Sequence, residues 1–261
     1  MTGYAPLDVP KPVADGIWII DGPPVTCRRM PHPTRAVVIR LETGGLWVHS
    51  PTAWTPELGA ELEALGRVAH LVVPNPLHTT HISDWQARYP EAETWGVEAA
   101  VARTARQGQS LHLDHLLEAP VPWAGEIGQL LIAGSRRHTE YVFFHKASRS
   151  LILTDILQSL ETAHLPVWMR PLVWFSGADD SDGRMPSLLR RAYGDKRALA
   201  ASLREMIRWQ PSRVLLAHGR CYMKNARGEL ERAYRRELRK GLWEELAEVA
   251  EKAEVAEQTK E

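Results

Sequence analysis

Cysteine is nearly missing from this chain. Of 261 residues only Cys27 and Cys221 carry a thiol, and they stand far apart. That argues against a disulfide framework, and a reducing, cytoplasmic setting is expected. Surplus charge is missing too. Lys+Arg and Asp+Glu both number 32, a formal net charge of +0, which argues against nucleic acid, a partner that calls for a basic surplus. No apolar run approaches the ~20 residues of a membrane span, and residues 1–10 lack the basic and apolar regions of a secretion signal. Phenylalanine is scarce, 3 against 10 tryptophans, and the tryptophans show no repeat period. They read as core fillers rather than as a stacking platform for bases or sugars.

What is present is ordinary globular material, 44% hydrophobic and 25% charged, enough for one large α/β domain or two small ones. Residues 1–14 are proline-rich and read as an irregular lead-in. Apolar runs at 17–20, 36–41 and 46–48 read as strands, with Gly44-Gly45 as a hairpin signal between the last two. Residues 21–33 carry Pro23-Pro24, Arg28-Arg29 and His32 and read as a long loop. Arg28 and Arg29 are there either anion contacts or, more simply, solvated arginines.

Thr55-Pro56-Glu57 opens a helix with a cap followed by a proline. The unbroken apolar run 68–73 suits a strand buried on both faces. A helix at 83–89, a strand at 94–97 and a helix at 98–106 follow. Residues 108–125 are irregular, with His112 and His115 around Asp114. Strands at 129–132, 140–145 and 150–154 come next, then a mostly helical stretch at 156–175 bent by Pro166 and Pro171. A polar loop at 177–183, an amphipathic helix at 197–209 and a strand at 213–217 complete the body. Beyond 228, Leu230, Tyr234, Leu238, Leu242 and Leu246 recur every fourth residue. That is the stripe of one long helix, which either covers the body or pairs with a second copy in a homodimer.

Side chains able to do chemistry gather where strands end. The stretch Pro74-Asn-Pro-Leu-His78-Thr-Thr-His81-Ile-Ser-Asp84-Trp85 puts two imidazoles and a carboxylate on a strand-to-helix connection. His145 ends the 140–145 strand, Asp155 follows the next, and His218-Gly219 follows the strand at 213–217. Imidazole and carboxylate together are the usual ligands of zinc, iron or manganese. Any one of these residues more simply caps a neighbouring loop, but four such features in order point to a metal. A metal there lowers the pKa of bound water toward ~7. Asp155 or Asp84 is the carboxylate to bridge metals, orient that water or act as base, and Asn75, Thr79 and Thr80 are candidate supports for the histidine tautomers. His49 and Cys221 read first as a satisfied strand histidine and a buried thiol.

In these features the sequence resembles the metallo-β-lactamase superfamily. The phrases Thr34-Arg-Ala-Val-Val-Ile-Arg40, Leu46-Trp-Val-His-Ser-Pro51, Pro74-Asn-Pro-Leu-His78 and Phe143-Phe-His-Lys-Ala-Ser-Arg149 are similar to a bacterial branch known only as a domain of unknown function. The resemblance runs over residues 17–219. It implies a four-layer αββα sandwich, here residues 1–222, followed by a helical extension at 223–261. It also implies one or two zinc or iron ions, a small-molecule substrate, and hydrolysis of an ester, amide, thioester or phosphoester. An iron oxidoreductase on the same scaffold, or a metal-free binding protein, are the alternatives. His145 resembles the third histidine of the family, Asp155 its bridging aspartate and His218 its last histidine. The family's first motif reads His-x-His-x-Asp-His. Matching it to His78 and His81 puts Thr80 at the Asp position and Pro76 at the first His position, whereas Asp84 supplies the carboxylate only with a three-residue shift.

Overall fold

The computed structural model describes residues 4–27, 30–176, 179 and 183–258. Its strands fall into two sheets. The larger holds β1 (Pro10–Ala14), β2 (Ile17–Cys27), β3 (Met30–Arg40), β4 (Leu46–His49), β5 (Val68–Val73), β6 (Glu93–Gly96) and β7 (His115–Leu116), side by side in chain order. β1 to β4 pair antiparallel and β4 to β7 parallel. Parallel neighbours need a crossover. α1 (Pro56–Leu65), α2 (Ile82–Arg88) and α3 (Glu98–Arg106) supply the three. The smaller sheet, in the order β11 (Arg213–Leu216), β10 (Ser150–Leu153), β9 (Tyr141–His145) and β8 (Ile127–Leu131), is antiparallel except between β10 and β11. Further helices are α4 (Arg170–Ser176), α5 (Ser187–Ala192), α6 (Lys196–Arg208) and α7 (Ala226–Gln258).

Side-chain alternation along the smaller sheet makes the layers. Phe143, Ile152 and Leu215 point into the core shared with the larger sheet, whereas Val142, Leu151, Leu153, Val214 and Leu216 point the other way, against Leu199, Leu203 and Met206 of α6 and Leu230 and Tyr234 of α7. Both faces are therefore dry. The strands read as continuous apolar runs for this reason, and each buried side chain contributes about 1.5–3 kcal/mol. α1 to α3 cover the larger sheet through Leu58, Leu62, Ile82, Trp85 and Ala100. The result is the expected αββα sandwich. α7 belongs to its outer layer for the first half of its length, where Gly241 lets α7 approach α6 so closely that a Cβ there would stand 2.2 Å from that of Ala200. Farther along, Leu242, Trp243 and Leu246 are exposed. No helix among the described residues is long and apolar enough to cross a membrane.

Several local expectations hold. Thr55 caps α1, its hydroxyl accepting the Leu58 amide at 3.1 Å, and Asp195 caps α6 in the same way through Ala198 at 2.8 Å. Three expectations fail. The lead-in contains an edge strand, β1, whose prolines are tolerated because an edge strand need not donate on its outer side. The supposed loop 21–33 is the far end of a long β2–β3 hairpin. Pro23 and Pro24 sit where the ladder register shifts, and Pro31 and Pro33 lie beyond the part of β3 that pairs with β4, so β3 has a neighbour on one side only there. Arg28 and Arg29 lie outside the described residues. Residues 156–175 are helical only in two short 3-10 turns and α4. Gln158, Ser159 and Leu160 instead make bridges to Arg184, Gly219 and Asp179. Of the polar loop 177–183, only Asp179 and Gly183 are described.

Candidate metal centre

The larger sheet's β5 ends at Val73, and the chain turns through Pro74-Asn75-Pro76-Leu77 to His78. Asn75 shapes this turn from within: its buried side-chain oxygen accepts the amides of Leu77 (2.8 Å) and His78 (3.1 Å). The Pro74 carbonyl accepts the Tyr141 amide at 3.0 Å, which ties this edge to the start of β9 in the other sheet. From that sheet, Asp155 follows β10 and His218 follows β11, parallel neighbours whose ends lie side by side. After His218, Gly219 adopts φ +97, and a Cβ there would stand 2.0 Å from the Ser159 carbonyl oxygen. Only glycine permits this closure.

These three loops bring His78, Asp155 and His218 together, with one ligating atom of each lying within 4.8 Å of the others. His78 Nε2 is 3.4 Å from Asp155 Oδ2, and His218 Nε2 is 3.5 Å from Asp155 Oδ1. Charge-assisted hydrogen bonds are shorter, about 2.7–2.9 Å. Donors sharing one tetrahedral ion at ~2.0–2.1 Å stand roughly 3.3 Å apart. The spacing is that of co-ligands. The His218 ring agrees: its Nδ1 lies 2.8 Å from the Pro33 carbonyl, an acceptor only, so Nδ1 carries the hydrogen and Nε2 offers its lone pair toward Asp155. By donor type, spacing and tautomer, these residues fit a divalent metal.

The carboxylate is braced from behind. The Asn75 amide nitrogen lies 2.9 Å from Asp155 Oδ2, 3.0 Å from Thr154 Oγ1 and 3.4 Å from Glu140 Oε2. Glu140 is itself fully buried. Its Oε1 accepts the amides of Thr154 (3.2 Å), Asp155 (2.9 Å) and Ile156 (3.2 Å) and the Thr154 hydroxyl (2.5 Å), while Oε2 meets His138 Nε2 at 2.9 Å. Burial alone would raise the Asp155 pKa, but His78 and His218 outweigh it and hold the carboxyl well below its usual range. Burial lowers the His218 pKa, but the neighbouring Asp155 carboxylate outweighs it, and His218 ends above its ordinary value. His138 behaves likewise, with Glu140 overcoming burial.

The centre floors a cleft of about 650 Å³ lined by His32, Arg35, Leu77, His81, Arg103, Gln107, Gln158 and Leu188 among others. His81 is thus on the cleft wall without joining the three-residue group, and burial lowers its pKa. Asp84 is exposed and lines a different groove with Trp54, Ala87 and Arg88. His145 is not brought to the centre. β9 and β10 run antiparallel, so His145 pairs with Ser150 at the opposite end of the sheet, roughly 16 Å away at about 3.3 Å per residue. There its Nδ1 meets the Ser148 hydroxyl at 2.7 Å. His112 pairs with Asp114, and His115 stacks on Trp95 at the β7 edge. His49 is buried and stacked on Trp47, and Cys221 Sγ lies 3.1 Å from Arg35 Nη1.

Sequence reasoning missed Glu140, His138 and the placement of His32, whose ring edges against His218 at 5.9 Å. A signal existed for two of them. If consecutive strands form a hairpin, the residues near Asp155 are those that begin β9.

The sequence over residues 14–187 matches the family described as Domain of unknown function (DUF4336). The chain belongs to the DUF4336 family. Its fold is that of the metallo-β-lactamases. The mono-zinc form of the metallo-β-lactamase FIM-1 from Pseudomonas aeruginosa superposes on this DUF4336 chain with a TM-score of 0.59 at 11% identity, covering 90% of this chain and 98% of that one. A metallo-β-lactamase from Pontibacter korlensis gives 0.57 at 11% identity, over 84% and 95%, and one from Hirschia baltica gives 0.57 at 12%, over 89% and 96%. At such identity the likeness carries the fold of the DUF4336 chain and not its activity. A search of curated protein sequences returned no match.

Proposed function

We propose that this DUF4336 protein is a metal-dependent hydrolase that cleaves a small ester, amide, thioester or phosphoester in the cleft above Asp155. The observation that carries this reading is the His78–Asp155–His218 group, spaced as co-ligands and oriented by Pro33 and Asn75. A zinc or iron ion held there supplies a Lewis acid and lowers the pKa of a bound water toward ~7. The chain's own groups do the rest. Asp155 brings negative charge between two imidazoles, Asn75 and Glu140 keep its orientation rigid, and Gln158 Nε2 reaches its Oδ1 at 3.3 Å. His81, whose pKa burial lowers below its ordinary value, is an imidazole on the cleft wall suited to receive a proton. It takes over the base role that Asp84, outside the cleft, is not placed to fill. The exposed Leu242, Trp243 and Leu246 stripe of α7 supports a homodimer, the scarcity of cysteine supports a cytoplasmic setting, and the balanced charge speaks against a nucleic-acid partner.

The two-histidine, one-carboxylate donor set also favours a second reading, a non-haem iron oxidoreductase, because that set is typical of such iron sites. Metal analysis of protein purified without added metal separates the two, followed by hydrolysis of p-nitrophenyl esters and bis-p-nitrophenyl phosphate. Stoichiometric zinc with turnover that disappears in His218→Ala supports hydrolysis, and stoichiometric iron without turnover supports the redox reading. No metal, with any turnover unchanged in His218→Ala, overturns both and leaves a metal-free binding protein.

A further inference from the structure

Arg103 projects from α3 into the wall of the same cleft. Its Nε is sealed from solvent without a hydrogen-bond partner, and no carboxylate of the described residues stands within ion-pair distance of it. Arg35, which also lines the cleft, is the reverse case. Its Nε and Nη2 hold Asp21 Oδ1 at 2.9 and 2.7 Å, and its Nη1 reaches the carbonyls of Leu216 and Gly219. Among the described residues Asp155 is the only carboxylate that lines the cleft, and it is committed to His78 and His218. The cleft therefore contains one cation whose charge the described residues do not answer.

The sealed Nε is an unmatched buried donor, so an anion in the cleft would meet the terminal nitrogens, whose end-on fork also grips a carboxylate or phosphate with two parallel bonds. Gln107, the C-cap residue one turn beyond Arg103, lines the same wall and adds an amide donor. Val25, Pro51, Leu77 and Leu189 line the same cleft and supply apolar surface. We propose that Arg103 is the recognition point for an anionic group, carboxylate or phosphate, on a small substrate with an apolar body. The anionic end seats on α3, and the scissile group faces Asp155. This rests on the hydrolase reading for the second half of that sentence only; the binding of an anion by Arg103 is independent of any metal.

The test is calorimetric titration of the full chain, stripped of metal by chelation and dialysis, with octanoate, octyl phosphate and neutral octanamide. Wild type is expected to bind one of the two anions at least tenfold more tightly than octanamide, and which anion wins tells carboxylate from phosphate. Arg103→Gln erases the preference, Arg103→Lys keeps part of it, and His218→Ala leaves it intact. A preference that survives Arg103→Gln, vanishes in His218→Ala, or is absent from wild type overturns the proposal. Thermal melting of the ligand-free chain is the second readout. Arg103→Leu melts at or above the wild-type temperature if the guanidinium is unsatisfied, and a drop of several degrees makes Arg103 a structural residue and overturns the assignment. Because the titration uses metal-free protein, absence of metal in the native chain would sink the hydrolase reading without touching this one.

Discussion

The two ends of β9 carry similar residues and live differently. At its start, His138 and Glu140 are knitted to Asn75, Thr154 and Asp155 through a buried carboxylate that meets six donors. At its finish, His145 is also buried but touches one hydroxyl, that of Ser148. Side-chain chemistry does not distinguish the ends. Strand direction does, because β9 is antiparallel to β10 and only its beginning lies beside Asp155. A strand-end histidine acquires a role from the edge of the sheet it reaches, and that edge is set by pairing.

Substitutions can break this contrast, the largest effect coming from the centre itself. Asp155→Asn removes the carboxylate that both His78 and His218 face, the charged member of the proposed ligand set. Metal affinity, measured by competition with a chromophoric chelator, is expected to fall more than ~100-fold, beyond the roughly 10–100-fold typical of residues behind the ligands. Glu140→Gln falls in that latter range. It also lowers unfolding free energy in urea by about 1–3 kcal/mol, since an amide nitrogen replaces an acceptor facing donors. Loss of stability with unchanged metal affinity would reduce Glu140 to a purely structural group.

The third effect depends on pH. The His138 pKa is raised by its bond to Glu140 against the opposing pull of burial. A raised folded-state value means that this pair's stabilisation is complete below the unfolded histidine pKa of ~6.5 and is lost as the pH climbs through the folded value. Wild-type stability should therefore decline above about pH 6.5, and His138→Gln should flatten that part of the urea-midpoint profile. An unchanged profile would remove His138 from the network. The smallest effect belongs to the far end: His145→Ala costs about 1 kcal/mol for one hydrogen bond and leaves metal affinity within twofold of wild type. If instead it strips the metal, the contrast between the two ends collapses.

Much of the fold was legible because its signals are local. The Thr55 cap, the proline after it and the period of α6 each depend on neighbours within a turn or two. The apolar runs of β5, β9, β10 and β11 announce burial on both faces without saying which strand lies beside which. The errors came from residues whose local preference was overruled by position: prolines admitted at an edge and at a register shift in β1 to β3, and Gln158, Ser159 and Leu160 drawn into isolated bridges rather than a helix.

For the candidate site the division is sharper. By itself the sequence determined the residue types, imidazole and carboxylate at strand ends, a donor set of the kind that suits divalent metals. It also contains the glycine after His218, although what requires it, φ +97 against the Ser159 carbonyl, is a tertiary contact. Only the tertiary structure decided membership. Parallel pairing of β10 with β11 sets Asp155 beside His218, and the link from Pro74 to Tyr141 brings His78 across from the other sheet. Antiparallel pairing sends His145 away and puts Glu140 in reach. Strand direction and sheet contact are relations between segments up to 140 residues apart, between His78 and His218, and no local propensity encodes them.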